Sequence, residues 1–201
     1  RKAIRSAPNF AYGEIYILLD GCPENKSGIE TEKYLEYKEQ IKELFPYVCI
    51  IEYDVNIYFR EMIKDICEKS ESDRILVIQD DVILDKMNLQ QISEDFDELD
   101  HCKIISFPHK NVEDGNHWYI PIKNMGQYLK CHGWSERAFI FDRLDMKVNL
   151  QRKVKGERQK KFIEQEYQNR MKSKSLTLEY WATWGCYTHN KIFHTHLVGH
   201  R

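Results

Sequence analysis

The amino-acid sequence predicts an α/β domain organised on a mostly parallel central sheet, and three observations lead there. Between residues 14 and 84, short β-branched runs alternate with helical stripes in the order strand, helix, strand, helix, strand. That order closes as parallel strands joined by right-handed crossovers. The third strand, Arg74-Ile75-Leu76-Val77-Ile78, is almost wholly aliphatic and runs into Gln79-Asp80-Asp81 before more apolar residues follow through Leu84. A run so short and so apolar is that of a buried central strand. With 201 residues, the chain is long enough to bury roughly 70% of its unfolded surface in one domain. A single domain over 1–201 is expected.

The elements follow in order. Residues 1–12 resemble the tail of a helix stopped at Pro8. Glu14–Leu19 is a buried strand ended by Asp20-Gly21-Cys22-Pro23, a strong turn signal. Thr31–Phe45 carries a helical apolar stripe closed by Pro46, and Tyr47–Tyr53 is the next strand. Asp54–Lys69 is the clearest helix: Phe59, Met62, Ile63, Ile66 and Cys67 fall on one face, with Asp54 or Asn56 as its cap. After the stretch 74–84 come a short acidic helix, Leu89–Leu99, and a strand, Lys103–Phe107. Residues 109–130 are irregular and rich in Gly, Asn, His and aromatics, as a binding loop is. Arg137–Phe141 is a further strand, and a basic helix spans about 151–172. An aromatic cluster (Trp181, Trp184, Tyr187) precedes a last strand bearing His194, His196 and His200.

Charge narrows the partners. The formal net charge is −2, so the chain as a whole offers no electrostatic case for nucleic acid. Residues 151–174, however, hold nine Lys/Arg against three Glu. That basic segment is a solvated helix face or a contact for an anionic substrate or membrane surface. No apolar run has the length of a membrane span and no signal peptide is visible. The six cysteines are scattered without a CxxC pair, which suits buried or free thiols in a reducing, cytoplasmic setting.

In a parallel sheet the ligand crevice lies along the carboxyl edge, which here holds Asp20, Asp54 and Asp80/Asp81. Carboxylates at a strand end are solvated turn residues or share a hard cation with a phosphate. There is no GxGxxG, no P-loop and no nucleophile elbow, so dinucleotide, P-loop and serine-hydrolase readings lose their main support.

Three motifs in a fixed order carry a resemblance: the turn Leu19-Asp20-Gly21-Cys22-Pro23-Glu24, the helix with Arg60, and Gln79-Asp80-Asp81. Further on, Phe162-Ile163-Glu164-Gln165-Glu166-Tyr167-Gln168-Asn169-Arg170 adds a fourth. The set resembles the GT-A glycosyltransferases, the nucleotide-sugar-dependent family 2 type in particular, over roughly residues 1–198. The resemblance implies a GT-A fold, with residues 1–100 as the nucleotide-binding half and 101–201 as the acceptor-binding half. It implies transfer of a sugar from a UDP-sugar to an acceptor hydroxyl of a glycan, lipid or protein, with Mn²⁺ or Mg²⁺ as cofactor. It implies Asp20 accepting from the uracil, Arg60 pairing with base or phosphates, and Asp80 beside the metal ligand Asp81. It places the catalytic base at Glu164 or Glu166 and an acceptor contact at Trp134. A histidine near the C-terminus serves as metal ligand in several GT-A families, and His194, following Ile192-Phe193, is the choice here over His196.

Three departures qualify this pattern. Gln79 stands where the metal motif has its leading Asp, and Gln165 stands where the base motif has an Asp, so the reaction either uses a neighbouring Glu or retains configuration without one. The family's opening strand is expected upstream of Arg1. A nucleotidyltransferase making a nucleotide sugar is the nearest rival, but it normally needs a glycine-rich basic loop, which this sequence does not contain. A non-catalytic carbohydrate- or protein-binding module would use the aromatic cluster and the basic helix instead. A two-metal nuclease is disfavoured because the basic residues lie on one helix rather than around the acids.

Overall fold

The structure, a computed structural model, describes residues 14–22, 27–79, 82–84, 87–108, 121–131, 134, 137–151, 163, 185–190 and 194–196. Strands β1 (Tyr16–Leu19) and β2 (Cys49–Glu52) form a parallel pair, with Tyr16 opposite Cys49 and Leu19 opposite Glu52. Between them runs helix α1 (Gly28–Leu44). It starts three residues before the predicted Thr31 because Ser27 and Glu30 form a capping box: each side chain accepts from the other's backbone N–H. Lys38 is buried on this helix. Its ammonium donates to the Tyr53 carbonyl (3.1 Å) and pairs with Glu52 (3.4 Å), which removes the cost of burying it.

Among the described residues, the larger sheet has six strands in the order β3-β8-β5-β9-β7-β6. These are β3 (Arg74–Ile78), β5 (Ile104–Ser106), β6 (Pro121–Met125), β7 (Tyr128–Cys131), β8 (Ala138–Asp142) and β9 (Cys186–His189). Only β5 and β9 pair in parallel; every other neighbour in this sheet is antiparallel. The expectation of a mostly parallel central sheet is therefore corrected. The crossover pattern does hold for β1 and β2, but β8 returns from residue 138 and inserts between β3 and β5, running against both.

The strand expected to run into the two acids ends at Ile78, and the apolar residues beyond them form β4 (Val82–Leu84), which pairs antiparallel with β10 (His194–His196) in a separate two-stranded ribbon. Two further corrections concern the place of β3 and the stretch that follows Phe107. Among the described residues, β3 finds its ladder partner in β8 alone, so it lies at an end of the six-stranded order rather than at its centre. Residues 121–131, predicted as irregular, are the hairpin β6–β7. It turns on Gly126-Gln127, with Gly126 at φ 76° and Met125 opposite Tyr128. Glycine at the first position of a two-residue loop is what a type II′ hairpin turn demands.

Helices cover both faces of the six-stranded sheet. On one, Ile105, Ile140 and Tyr187 pack with Val82, Phe107 and the Ile92–Phe96 stripe of α3 (Leu89–Glu98). On the other, Ile104, Phe139 and Phe141 pack with Ile63 and Cys67 of α2 (Tyr58–Lys69) and Met146 and Leu150 of α4 (Arg143–Leu150). Ile163, inside the predicted basic helix, is buried in this second cluster. All six cysteines are free thiols, four of them buried. Burial pushes the Cys67 thiol up to about 12 and that of Cys131 to about 11.

Candidate functional site

The turn after β1 and the first turn of α2 are locked together by Asp20. Its carboxylate accepts from Gly21 N–H (2.8 Å), Ile57 N–H (2.8 Å) and Tyr58 N–H (3.3 Å). The cap of α2 therefore comes from a residue 37 positions upstream and not from Asp54. Asn56 makes a smaller contribution, accepting from Tyr58 N–H at 3.1 Å. Tyr58 itself has φ 65°, a left-handed conformation that a bulky side chain rarely adopts. Gly21 is needed for the close approach: a Cβ there would lie 1.9 Å from the Val55 carbonyl carbon. Tyr34 fastens the same turn from α1 by donating to the Asp20 carbonyl at 2.8 Å. With three donors already on its carboxylate, Asp20 has a structural task at the place where the resemblance puts a base contact.

The first turn of α2 leans on the sheet where β3 ends. Phe59 meets Phe139 edge to face, with ring centroids 6.4 Å apart, and Phe139 is the cross-strand partner of Val77. One step outward on the same face stand Gln79 on the β3 side and Arg137 on the β8 side, joined by a hydrogen bond from Gln79 N–H to the Arg137 carbonyl (2.9 Å). The capped end of α2, the carboxyl end of β3 and the amino end of β8 thus meet at one corner of the molecule.

Asp80 and Asp81 lie outside the described residues, but the residues that bracket them are placed. Val82 N–H donates to the Gln79 carbonyl at 3.1 Å, so the chain leaves β3 and re-enters β4 within one hydrogen bond. The β4·β10 register puts His196 across from Val82, the residue after Asp81, and His194 across from Leu84. His194, the predicted ligand, is thus about 7 Å farther along the ribbon than His196.

Arg60 is drawn away from this corner. It is 3% exposed, donates to the Leu150 carbonyl (2.7 Å) and pairs with Glu61 (2.5 Å). A cation on the last carbonyls of α4 is a helix C-cap. This is the place where Arg60 serves the fold. Trp134 is fully buried, with its ring 4.4 Å from that of Phe139, so its indole face packs the core and presents no floor to an acceptor sugar. Tyr187 is core as well, its hydroxyl donating to the Asp100 carbonyl (2.7 Å), and burial raises it to about 12. Glu164 and Glu166 lie outside the described residues. The residue before them, Ile163, is buried in the cluster that holds Trp134 and Phe139. Trp181, Trp184, His200 and the rest of the basic segment also lie outside the described residues. Among the described residues no group of three or more His, Cys, Asp or Glu could hold a metal ion.

Sequence reasoning missed the two antiparallel pairings that shape this corner, β3 with β8 and β4 with β10. Both join segments far apart in the chain, which no local pattern announces. A shallow pocket of about 220 Å³ between α3 and the β6–β7 hairpin, lined by Asp95, Glu98, Met125 and Tyr128, lies at the other end of the strand order.

No family model matches the chain, and no curated protein matches it. Among the solved structures that match, two show a weak likeness. One is A197 from STIV, with 11% identity and a TM-score of 0.42, covering 92% of this chain and 85% of that one. The other is a UTP-bound UGPase from Acinetobacter baumannii, with 10% identity and a TM-score of 0.46, covering 94% of this chain and 73% of that one. No helix among the described residues is long and apolar enough to cross a membrane.

Proposed function

We propose that this chain is a nucleotide-sugar enzyme, specifically a metal-dependent glycosyltransferase that moves a sugar from a UDP-sugar to an acceptor hydroxyl. The observation that carries the reading is the corner just described: the end of β3, which leads into Asp80-Asp81, lies beside the capped first turn of α2 and the Asp20-Gly21 turn. The order of motifs in the sequence supports the same reading. Asp81, with Asp80 beside it, would hold the cation, and a histidine of β10, His194 or His196, would complete the donors. Carboxylates with one imidazole suit Mn²⁺, and carboxylates alone suit Mg²⁺ equally. When bound, such an ion neutralises charge developing on the departing diphosphate. Glu164 or Glu166 would take the proton of the acceptor hydroxyl. The acceptor is a glycan, lipid or protein, and the basic 151–174 segment would bring the chain to an anionic membrane surface.

A second reading, a nucleotidyltransferase that makes a nucleotide sugar, would use the same corner. One experiment separates them. Calorimetry should detect UDP binding that requires Mn²⁺ and is lost in Asp81→Ala without a change in melting temperature. Incubation with UDP-sugars and acceptor hydroxyls should release UDP. Mn²⁺-independent binding that survives Asp81→Ala would overturn the metal assignment. Pyrophosphate release from UTP plus a sugar 1-phosphate would transfer the reading to the second class, and nucleotide-independent glycan binding to a non-catalytic module.

A further inference from the structure

We propose that the pocket between α3 and the β6–β7 hairpin is a saccharide site, taking one pyranose ring as a free sugar or as a unit of a glycan. Its hairpin strand β7 lies four strand spacings from β3, roughly 19 Å. The pocket shares no residue with the corner read as a nucleotide site, so the inference stands apart from that reading. It holds about 220 Å³ and is lined by Asp95, Glu98, Leu99, Met125, Gln127 and Tyr128. That volume is below the ~300–1,000 Å³ of sites for drug-sized ligands and suits a single small ring.

The lining selects hydroxyl groups by its mixture of donors and acceptors. The Glu98 carboxylate offers acceptors, the Gln127 carboxamide offers an acceptor and two donors, and a sugar hydroxyl is donor and acceptor at once. Both residues are exposed, and their side chains form no hydrogen bond or ion pair among the described residues, so this capacity is open to a ligand. Asp95 is already committed, accepting from the Gln91 amide (3.0 Å) and the Tyr128 hydroxyl. The Tyr128 oxygen keeps its own capacity to accept. No Lys or Arg lines the pocket, and its two carboxylates repel a phosphate or other anion. An ammonium ion has no acceptor to give the Gln127 amino group, whereas a hydroxyl has. Leu99 and Met125 supply apolar surface for the C–H face of a pyranose. The arrangement is also held in place before any ligand arrives. The hairpin turns on Gly126, whose N–H donates to Asn124 Oδ1 (3.0 Å). Asn190, just beyond β9, holds the same tip twice: its side-chain amide donates to the Gly126 carbonyl (3.0 Å) and its N–H to the Gln127 carbonyl (2.9 Å). Tyr128 is buried between Asp95 and the ring of His189, with ring centroids 4.9 Å apart. A site built this way loses little freedom on binding.

The test uses the whole chain, isotope-labelled for amide NMR, and the methyl glycosides of glucose, galactose, mannose and N-acetylglucosamine, with maltotriose, cellotriose and chitotriose as glycan probes. At least one should shift the Gly126 and Gln127 amides saturably, with a Kd on the order of 1–10 mM. Tighter binding of a trisaccharide identifies the ligand as a glycan unit, and equal binding identifies it as a free sugar. Glu98→Ala and Gln127→Ala should each weaken binding by about 5- to 10-fold at unchanged melting temperature, as the loss of one hydrogen bond does. Glu98→Gln keeps an acceptor, loses the charge and should fall between. No shift of these amides by any probe up to about 50 mM would overturn the assignment. Unchanged affinity in both alanine variants would do the same, as would saturation by agmatine without a response to any sugar, which marks a cation site. UDP with Mn²⁺ is titrated into the same samples. Sugar binding at the hairpin without UDP binding leaves the pocket standing while the nucleotide reading falls, and UDP binding without sugar binding does the reverse.

Discussion

Removing the Asp20 carboxylate should destabilise the whole domain, since it holds the start of α2 against the end of β1. In Asp20→Ala the amides of Gly21, Ile57 and Tyr58 lose their charged acceptor. A lost cap costs about 0.5–2 kcal/mol, and an amide deprived of a charged partner about 1.5–3 kcal/mol. Two features bound the total. Tyr58 N–H keeps Asn56 Oδ1 as a second acceptor at 3.1 Å, and freeing Tyr58 from φ 65° returns on the order of 1 kcal/mol. A net loss of about 2–3 kcal/mol follows. Asp20→Asn retains one acceptor oxygen and loses the favourable interaction of a charge with the helix end, so about 1 kcal/mol is expected. Urea unfolding followed by far-ultraviolet circular dichroism at pH 7 measures it. With a slope of about 2–3 kcal/mol per molar, the midpoint should drop by about 1 M in the alanine variant at unchanged slope. A midpoint within about 0.2 M of wild type, together with lost UDP binding, would refute the argument. It would show that the carboxylate serves a ligand and not α2.

Two further outcomes test the fold around the site. Arg60→Met should lower stability by about 2–4 kcal/mol, because the Leu150 carbonyl loses its donor inside the core, while the affinity for UDP should stay within about threefold. Urea melts and calorimetry on the same samples report both quantities, and a large loss of affinity at unchanged stability would return Arg60 to the nucleotide. Stability should also decline in alkali. The Cys67 and Cys131 thiols titrate at about 12 and about 11 in the folded chain, because burial disfavours the thiolate. In the unfolded chain they titrate near 8.5 to 9, so the unfolded state sheds protons first. Their contribution is fully present below about pH 8.5 and is lost as pH rises toward the folded values, by about 1.4 kcal/mol per pH unit for each thiol. Urea midpoints at pH 8 and pH 10 should differ accordingly, and less so in Cys67→Ala; equal midpoints would sink the attribution.

The sequence by itself determined whatever depends on local period and turn chemistry. The spacing of Ile63, Ile66 and Cys67 predicted the face that α2 buries, because a 3.6-residue repeat is a property of the helix alone. The run Arg74–Ile78 predicted a strand ending just ahead of two acids, and Asp20-Gly21 predicted a turn, since glycine and a short carboxylate are what such a turn takes. The same signals misled where a partner from elsewhere in the chain intervenes. Arg60 has the charge of a phosphate ligand but stands on the α2 face that meets the end of α4, 90 residues away. Trp134 has the surface of a sugar platform but is enclosed by Phe139 and its neighbours.

Tertiary structure alone decided strand direction and register. Whether β3 takes a parallel or an antiparallel neighbour depends on the pairing of Arg74 with Asp142, 68 residues apart, and the composition of β3 suits either. That pairing sets Arg137 across from Gln79, and the pairing of β4 with β10 sets His196 across from Val82. A one-residue slip in the β3·β8 ladder would turn Gln79 and Arg137 to the opposite face, so the corner is specified by long-range register and not by the residues that compose it.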